Sequence, residues 1–250
     1  MTSAPLLYVC VRPQLGAAAA EYESFRTAMR LDPSQLGHHD LVRDPLPDDV
    51  FERYSGFLVG GSPFNLADPE STKTDVQRRL EADLERIAGR VAEGGGPAAM
   101  FTCYGIGVVT RMLGGEVSRA YPEDTGPVTI ELTPAASADP LFGGLANRFT
   151  ALTAHKEGTA APPPGAKLLA FNDGCPVQAY LVGDRLYATQ FHPEPTTRAF
   201  TERMAVYRDD GYFEANDYDV VAARVLAASV TQPSRLLEAF ARRFRQAEAA

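Results

Sequence analysis

Residues 97–107 read Pro-Ala-Ala-Met-Phe-Thr-Cys-Tyr-Gly-Ile-Gly, a short apolar run that ends at Cys103 and passes at once into a glycine-rich, helix-like segment. This pattern predicts a sharp strand-to-helix turn with Cys103 at its tip. A side chain at such a tip is exposed, and the positive end of the helix dipole behind it favours a thiolate. The stretch therefore leaves two roles for Cys103, a nucleophile or a buried core thiol.

Strand and helix patterns alternate along the chain up to about residue 113. Leu6–Val11 and Gly56–Gly60 are short apolar runs of the kind found in buried strands. Glu21–Leu31 has aromatic and apolar residues at helical spacing, and the stretch from Asp75 to Val91 is a clear amphipathic helix. This alternation predicts a parallel sheet with helices on both faces.

The second half of the chain changes to alternating apolar and polar residues, which is typical of antiparallel or mixed strands. The segments are Val128–Leu132, Phe149–His155, Leu168–Phe171, Val177–Val182 and Leu186–Phe191, with Gly183-Asp184 predicting a hairpin. We predict a three-layer α/β fold with a mostly parallel central sheet flanked by helices and a small antiparallel side sheet. Residues 1–198 are expected to form this domain, and residues 199–250 a helical extension packed on it, ending in a helix capped by Ser234.

The bulk properties exclude several classes of protein. The chain has 250 residues, 45% of them hydrophobic, which suits one sizeable domain with an appendage. No segment approaches the roughly 18 consecutive apolar residues of a membrane span, and no signal-peptide pattern is present, so a cytoplasmic location is expected. The net charge of -8 argues against nucleic acid as the main partner. No metal-ligand spacing occurs, and neither a metal nor another cofactor is expected.

A second informative run is Tyr-Ala-Thr-Gln-Phe-His-Pro-Glu at residues 187–194. A predicted strand ends at Phe191, His192 follows directly, and Glu194 comes after an intervening proline. An acid–base histidine needs a group that holds one tautomer and stabilises the charged ring, and a carboxylate held nearby can do so. Because residues far apart in sequence meet at the carboxyl edge of a parallel sheet, Cys103 and His192 are expected to converge.

A third run, Gly60-Gly61-Ser62-Pro63, follows the second predicted strand. Glycines at such a place let backbone N–H groups approach a ligand closely. Acyl transfer needs donors aimed at a developing oxyanion, and the N–H groups of Gly61 and Tyr104 are the candidates. Each run alone has a plain structural interpretation, but together, each at a strand end, they favour a nucleophilic site.

These motifs resemble the class-I glutamine amidotransferase family, in particular its stand-alone members similar to the glutaminase domain of GMP synthase. The match consists of Gly60-Gly61-Ser62-Pro63, Cys103-Tyr104-Gly105 and Gln190-Phe191-His192-Pro193-Glu194, in the family's order and approximate spacing. The resemblance covers about residues 54–196 and implies a flavodoxin-like fold.

The resemblance implies an enzyme with a Cys-His-Glu triad that breaks a C–N bond. Cys103 would attack the side-chain amide carbon of glutamine, His192 would carry the thiol proton to departing ammonia, and Glu194 would orient His192. Water would then hydrolyse the γ-glutamyl thioester. The resemblance also implies an oxyanion hole formed by Gly61 and Tyr104. It further implies a substrate pocket that includes Gly60, Ser62, Gly107, His155 and Gln190. A surface turn is an equally weighted interpretation of His155.

Two positions depart from the family pattern. Phe101 stands where the family usually has glycine before the nucleophile, which bears on the geometry of the turn. Gly107 stands where a glutamine commonly helps to hold the substrate, which bears on the identity of the substrate. Three functions therefore stay open: a glutaminase of the amidotransferase type, a γ-glutamyl amine or peptide hydrolase, and a catalytically weakened binding or regulatory protein.

The partners follow from the same resemblance. Family members pass ammonia to a synthase domain or subunit. This chain has no room for a synthase domain and no Walker-type phosphate loop. We therefore expect a small-molecule substrate together with either a separate synthase subunit or a non-biosynthetic role, and the sequence leaves both a monomer and a homodimer open.

Overall fold

The computed structural model describes residues 6–245, which contain one nine-stranded sheet with helices on both faces. The strands are β1 (Leu6–Cys10), β2 (Leu36–Asp40), β3 (Gly56–Val59), β4 (Ala98–Thr102), β5 (Glu123–Leu132), β6 (Arg148–His155), β7 (Ala166–Phe171), β8 (Ala179–Val182) and β9 (Leu186–Thr189). The helices are α1 (Leu15–Ala28), α2 (Val50–Arg53), α3 (Asp75–Ala92), α4 (Tyr104–Met112), α5 (Thr197–Val206), α6 (Tyr218–Leu226) and α7 (Pro233–Phe244).

The sheet is mixed, in the order β2-β1-β3-β4-β9-β8-β7-β5-β6. Strands β2, β1, β3, β4 and β9 pair in parallel, and each pairing from β9 to β6 is antiparallel. The prediction of a separate small side sheet is therefore wrong, because the antiparallel strands continue the central sheet. The reason is β9, which pairs in parallel with β4 on one edge and antiparallel with β8 on the other.

Alternate residues of the central strands supply two separate cores. In β1, Leu6 and Tyr8 face the core shared with α1 and α7, whereas Leu7 and Val9 face the core shared with α3 and α4. This two-sided burial explains why β1 is apolar throughout, as strands covered on both faces are. The parallel pairing of β3, β4 and β9 places the carboxyl ends of these strands side by side, so that the loops following them converge.

Local sequence signals predict some helix ends correctly and others wrongly. Thr74 caps α3, since its hydroxyl accepts a hydrogen bond from the Gln77 N–H at 3.1 Å. The predicted cap at Ser234 is wrong, because α7 begins at Pro233 with Gln232 as the N-cap.

The edge strand β2 forms because it pairs with β1, and its own sequence does not predict a strand. It includes His38 and His39, and its pairing with β1 is parallel. Its run Leu-Gly-His-His-Asp lacks the apolar pattern of a strand.

The predicted domain boundary at residue 198 falls within α5 (Thr197–Val206). The outer ends of the two predicted segments, residues 1–5 and 246–250, lie outside the described residues. Within residues 6–245, no helix has the length and apolar character needed to cross a membrane.

Helix α7 joins the core beside α1 and the start of β3. Leu236, Leu237 and Phe240 are fully buried, and the Phe240 ring stacks at a tilt on Phe244 with ring centroids 4.9 Å apart. Residues 233–244 therefore pack as part of the α/β unit rather than as a tail.

We predict that Phe240→Ala lowers the free energy of unfolding by about 3–5 kcal/mol, because it leaves a cavity in this core. Arg242→Ala, at an exposed position of the same helix, is the matched control and is expected to change it by less than about 0.5 kcal/mol. Urea denaturation followed by circular dichroism measures both. Equal, small effects would show that α7 does not stabilise the domain.

Candidate active site

Cys103 forms the tip of a tight turn between β4 and α4. Its φ is 52° and its ψ -106°, and it is one of only two non-glycine residues with positive φ among residues 6–245. A β-carbon in this region costs about 1–3 kcal/mol, a strain that the surroundings must hold. They do so through a 2.8 Å hydrogen bond from the Cys103 N–H to the Thr189 carbonyl and a 2.9 Å bond from the Thr102 hydroxyl to the Val59 carbonyl.

The turn accommodates Phe101 because Gly105 has no side chain. A β-carbon at Gly105 would lie 3.0 Å from the Phe101 β-carbon and 3.1 Å from its ring. Phe101 is itself fully buried in the core beside α3 and α4. The departure from the family pattern at Phe101 is therefore compatible with the strained turn.

His192 and Glu194 lie next to Cys103, in the turn between β9 and α5. The His192 N–H donates to the Leu152 carbonyl at 2.9 Å, and its Nδ1 lies 3.0 Å from Glu194 Oε1. The Cys103 side chain borders the same cavity as this ring, and its thiol lies 3.8 Å from the Ala154 carbonyl. Burial by itself lowers the pKa of His192, but the Glu194 carboxylate and the Cys103 sulfur outweigh burial and raise this pKa to about 9.

Arg203 of α5 bridges two buried carboxylates behind this histidine. Its Nη1 donates to Glu194 Oε1 at 2.8 Å and lies 3.2 Å from Glu21 Oε1. Glu21 also accepts hydrogen bonds from Arg12 Nη2 at 2.8 Å and from the Tyr8 hydroxyl at 2.7 Å. Although burial raises the pKa of a carboxyl, His192 and Arg203 hold the pKa of Glu194 below its usual range. Arg12 and Arg203 do the same for the pKa of Glu21. The two carboxylates and two guanidinium groups balance each other's charge.

The Gly60–Gly61 backbone lies between this network and Cys103. A β-carbon on Gly61 would lie 2.7 Å from Arg12 Nη2 and 2.9 Å from His192 Cε1, so only glycine fits. The Gly61 N–H, one of the two expected oxyanion donors, is hydrogen-bonded to Glu21 Oε1 at 3.2 Å. Tyr104 is the first residue of α4, where backbone N–H groups have no acceptor within the helix.

Two cavities open beside Cys103. The first, of about 450 Å³, is bordered by four of the predicted substrate-binding residues: Ser62, Gly107, His155 and Gln190. The second, of about 400 Å³, is bordered by His192, Arg12 and the side chains of α5 and the turn after it. Gly60, the remaining predicted substrate-binding residue, borders neither cavity and donates its N–H to the Val9 carbonyl at 3.2 Å.

His155 borders the first cavity but has both ring nitrogens engaged by protein groups. Nε2 lies 2.7 Å from Glu123 Oε2, and Nδ1 lies 2.8 Å from the Glu157 carbonyl. The Glu157 carboxylate in turn accepts the N–H groups of Leu66 and Ala67, each at 2.8 Å. These contacts fix the loop after β3 against the end of β6.

The sequence did not single out Glu21, Arg12 or Arg203. Glu21 carried a usable signal, since it lies one helical turn from Ala17 and from Phe25 on the buried face of α1. A carboxylate inside an apolar stripe requires a buried partner. Arg203 carried no such signal, because α5 has charged residues on several sides.

Glu21, His192 and Glu194 have potential metal-ligand atoms within 4.8 Å of one another. Both carboxylates are already bonded to guanidinium groups, which would repel a divalent cation brought among them. The donor set therefore fits a charge-balanced protein network better than a metal centre.

Comparison with known proteins shows which family the part of the chain that holds this site resembles. Residues 94–207 match the family model of the class-I glutamine amidotransferases. The GMP synthase (glutamine-hydrolysing) of Thermus thermophilus is 29% identical over 151 residues, covering 60% of this chain and 26% of that protein. The corresponding enzyme of Aeropyrum pernix is 34% identical over 99 residues, covering 40% and 19%. The chain thus spans about a quarter or less of the length of these curated relatives.

Solved structures agree at the level of the fold. A glutamine amidotransferase from Thermotoga maritima superposes with a TM-score of 0.74 at 16% identity, covering 99% of this chain and all of the other (100%). A glutamine amidotransferase from Methylobacillus flagellatus gives a TM-score of 0.69 at 18% identity, covering 99% and 97%. Residues 94–207 thus match a class-I glutamine amidotransferase domain, and the chain has homologues among the glutamine-hydrolysing GMP synthases.

Proposed function

We propose that this protein hydrolyses the side-chain amide of glutamine, or of a γ-glutamyl compound, through a thioester on Cys103. The observation that carries the proposal is the arrangement at the end of the parallel strands: Cys103 lies on a strained turn and borders the same cavity as His192, whose Nδ1 is hydrogen-bonded to Glu194. A strained backbone that holds a sulfur at the edge of a cavity, beside an oriented imidazole, is a nucleophile–base arrangement and has no role in packing.

The proposed reaction has two stages. His192, whose pKa is raised to about 9, holds the proton of the Cys103 thiol while the sulfur attacks the amide carbon, and it gives this proton to the departing nitrogen as the C–N bond breaks. Water next attacks the thioester, giving up a proton to His192, and glutamate leaves as the C–S bond breaks. Glu194 stabilises the charged imidazole throughout, and Arg203 holds Glu194 in place.

The oxyanion of each stage would be stabilised by the Tyr104 N–H at the start of α4. The Gly61 N–H can contribute only after it leaves Glu21 Oε1, since a backbone N–H directed at a carboxylate is unavailable to the substrate. Reorientation of this peptide on substrate binding is therefore part of the proposal.

The acceptor of the released amide nitrogen would be the partner of this protein. The matched relatives are glutamine-hydrolysing synthases of which this chain corresponds to a minor part, and for glutamine as the substrate this favours a synthase as the acceptor of ammonia. Hydrolysis by the isolated chain at a rate that no partner increases would favour a free-standing hydrolase.

We expect Cys103→Ser to abolish release of ammonia from glutamine, because a serine hydroxyl is a far weaker nucleophile beside the same histidine. Cys10→Ser, at a buried thiol of β1, is the matched control and is expected to retain activity. Coupled detection of glutamate measures both, and a thiol-reactive glutamine analogue should modify wild type at Cys103 only. Equal activity of wild type and Cys103→Ser would refute the nucleophile, and lack of labelling would favour a binding protein.

His192 should titrate at an unusually high pH. Its imidazole is expected to have a midpoint near pH 9, and Glu194→Gln should lower the midpoint by removing the nearest negative charge. Because the folded-state pKa exceeds the unfolded value of about 6.5, the stability due to this charge is complete below pH 6.5 and lost as pH rises towards 9.

Nitrogen-detected NMR of the histidine rings measures this titration, and urea denaturation across the same pH range measures the linked stability. A midpoint near 6.5 that Glu194→Gln leaves unchanged would contradict the assignment of Glu194 as the orienting group.

The Gly61 backbone can be tested by adding a single methyl group. Gly61→Ala should lower kcat by roughly 100-fold, about as much as the loss of one oxyanion donor, because its β-carbon would displace Arg12 and the His192 ring from the Cys103 sulfur. Gly144→Ala is the matched control, since a β-carbon there meets nothing within 4 Å. A Gly61→Ala variant with normal kcat would show that this loop takes no part in catalysis.

A further inference from the structure

Cys103 stands between two cavities that differ in what lines them. Ser62, Ala154 and Tyr212 border both cavities, as Cys103 does. Tyr212 is held there by Lys156, whose Nζ lies 4.6 Å above the tyrosine ring and donates to the Asp210 carbonyl at 2.7 Å. The turn after α5 is thus fixed over the sulfur, with a cavity on each side.

The position of His192 decides which cavity receives the departing group. His192 borders the second cavity and is absent from the lining of the first. The nitrogen of the scissile amide must be protonated by this histidine as the C–N bond breaks, so it must face the second cavity. The acyl part of the substrate then occupies the first cavity, beside Gly107 and Gln190.

The walls of the second cavity are mainly apolar. Phe200, Met204, Tyr207, Tyr212 and Phe213 supply ring and thioether surface. Its guanidinium groups, those of Arg12 and Arg203, are bonded to the carboxylates of Glu21 and Glu194.

Ammonia would gain nothing from such walls. It is small and polar, whereas aromatic and methionine side chains stabilise a ligand by removing its apolar surface from water. The second cavity therefore matches a leaving amine that carries an uncharged apolar substituent.

We propose that the substrates of this protein are γ-glutamyl amides of small apolar primary amines, with the amine substituent bound among Phe200, Met204, Tyr207, Tyr212 and Phe213. This inference rests on the proposed function and names its substrate class. The reaction balances as γ-glutamyl amide plus water giving glutamate plus free amine. Cys103 displaces the amine with a proton from His192, and water then displaces Cys103.

The test is a series of substrates for the wild-type chain: glutamine, γ-glutamylmethylamide, γ-glutamylbutylamide and γ-glutamylbenzylamide. One buried methylene changes kcat/KM by about 10-fold or more, so kcat/KM should rise along the series and the benzylamide should exceed glutamine at least about tenfold. A flat or falling series would overturn the inference and assign the second cavity to ammonia release.

A pair of matched variants locates the effect. Phe213 borders only the second cavity and Phe64 only the first, and both are half-buried. Phe213→Ala should reduce kcat/KM for the benzylamide at least about tenfold more than for glutamine, whereas Phe64→Ala should affect the two substrates alike because they share the glutamyl group. The opposite pattern would place the amine in the first cavity and refute the assignment.

A third measurement uses wild type alone and does not depend on the folding of variants. Free benzylamine should intercept the thioester formed from glutamine and yield γ-glutamylbenzylamide, more efficiently than methylamine at equal concentration. No preference between the two amines would count against an apolar amine site. If wild type cleaves none of the amides, the proposed function itself fails; if it cleaves glutamine best and Cys103→Ser abolishes this, only the present inference fails.

Discussion

Glu194 accepts hydrogen bonds at a single oxygen from His192, at 3.0 Å, and from Arg203, at 2.8 Å. Arg203 also lies 3.2 Å from Glu21, which is bonded to Arg12. All these side chains are almost completely buried. Removing one partner from a buried ion pair leaves an uncompensated charge that costs about 3–5 kcal/mol, so the members constrain one another strongly.

This buried network brings together residues from four distant parts of the chain. Arg12 follows β1, Glu21 belongs to α1, Glu194 follows β9 and Arg203 belongs to α5. The helices α1 and α5, far apart in sequence, are therefore held together against the ends of the central strands. Helix α5 thereby both positions Glu194 and supplies Phe200 and Met204 to the second cavity.

The strained turn at Cys103 depends on a second kind of complementarity, that of shape. Phe101 fills the core below the turn, and Gly105 leaves the space that its ring requires. A large residue at position 101, where the family usually has glycine, suggests a distorted turn when this position is compared with the family pattern by itself. Such a comparison does not include the neighbouring residues that make space for the ring. The structure resolves the conflict through a neighbour four residues away.

The position of Gly107 illustrates the same limit for the substrate. A β-carbon there would make only ordinary contacts with Leu66 and Val117, at 3.5–3.8 Å, so the backbone does not demand glycine. What glycine does is leave the first cavity open beside α4. In the proposed reaction, recognition of the acyl group would then come from the other side chains that line this cavity.

The sequence by itself determined the features that depend on near neighbours along the chain: the strand–turn–helix at Cys103, the amphipathic α3, and the runs that end in Gly61 and His192. Local patterns report these because steric limits and helical or strand periodicity act over a few residues. Most of the strands could be predicted in this way, whereas β2 could not, since it exists through pairing with β1. Only the tertiary structure decided that the antiparallel strands continue the central sheet, that Arg203 meets Glu21 across 182 positions of sequence, and that Cys103 lies between two cavities. Each of these features depends on contacts between segments that lie far apart in the sequence, and such contacts produce no periodic pattern of residues. Their geometry is fixed only when the buried charges are paired and the apolar cores are packed in the same structure.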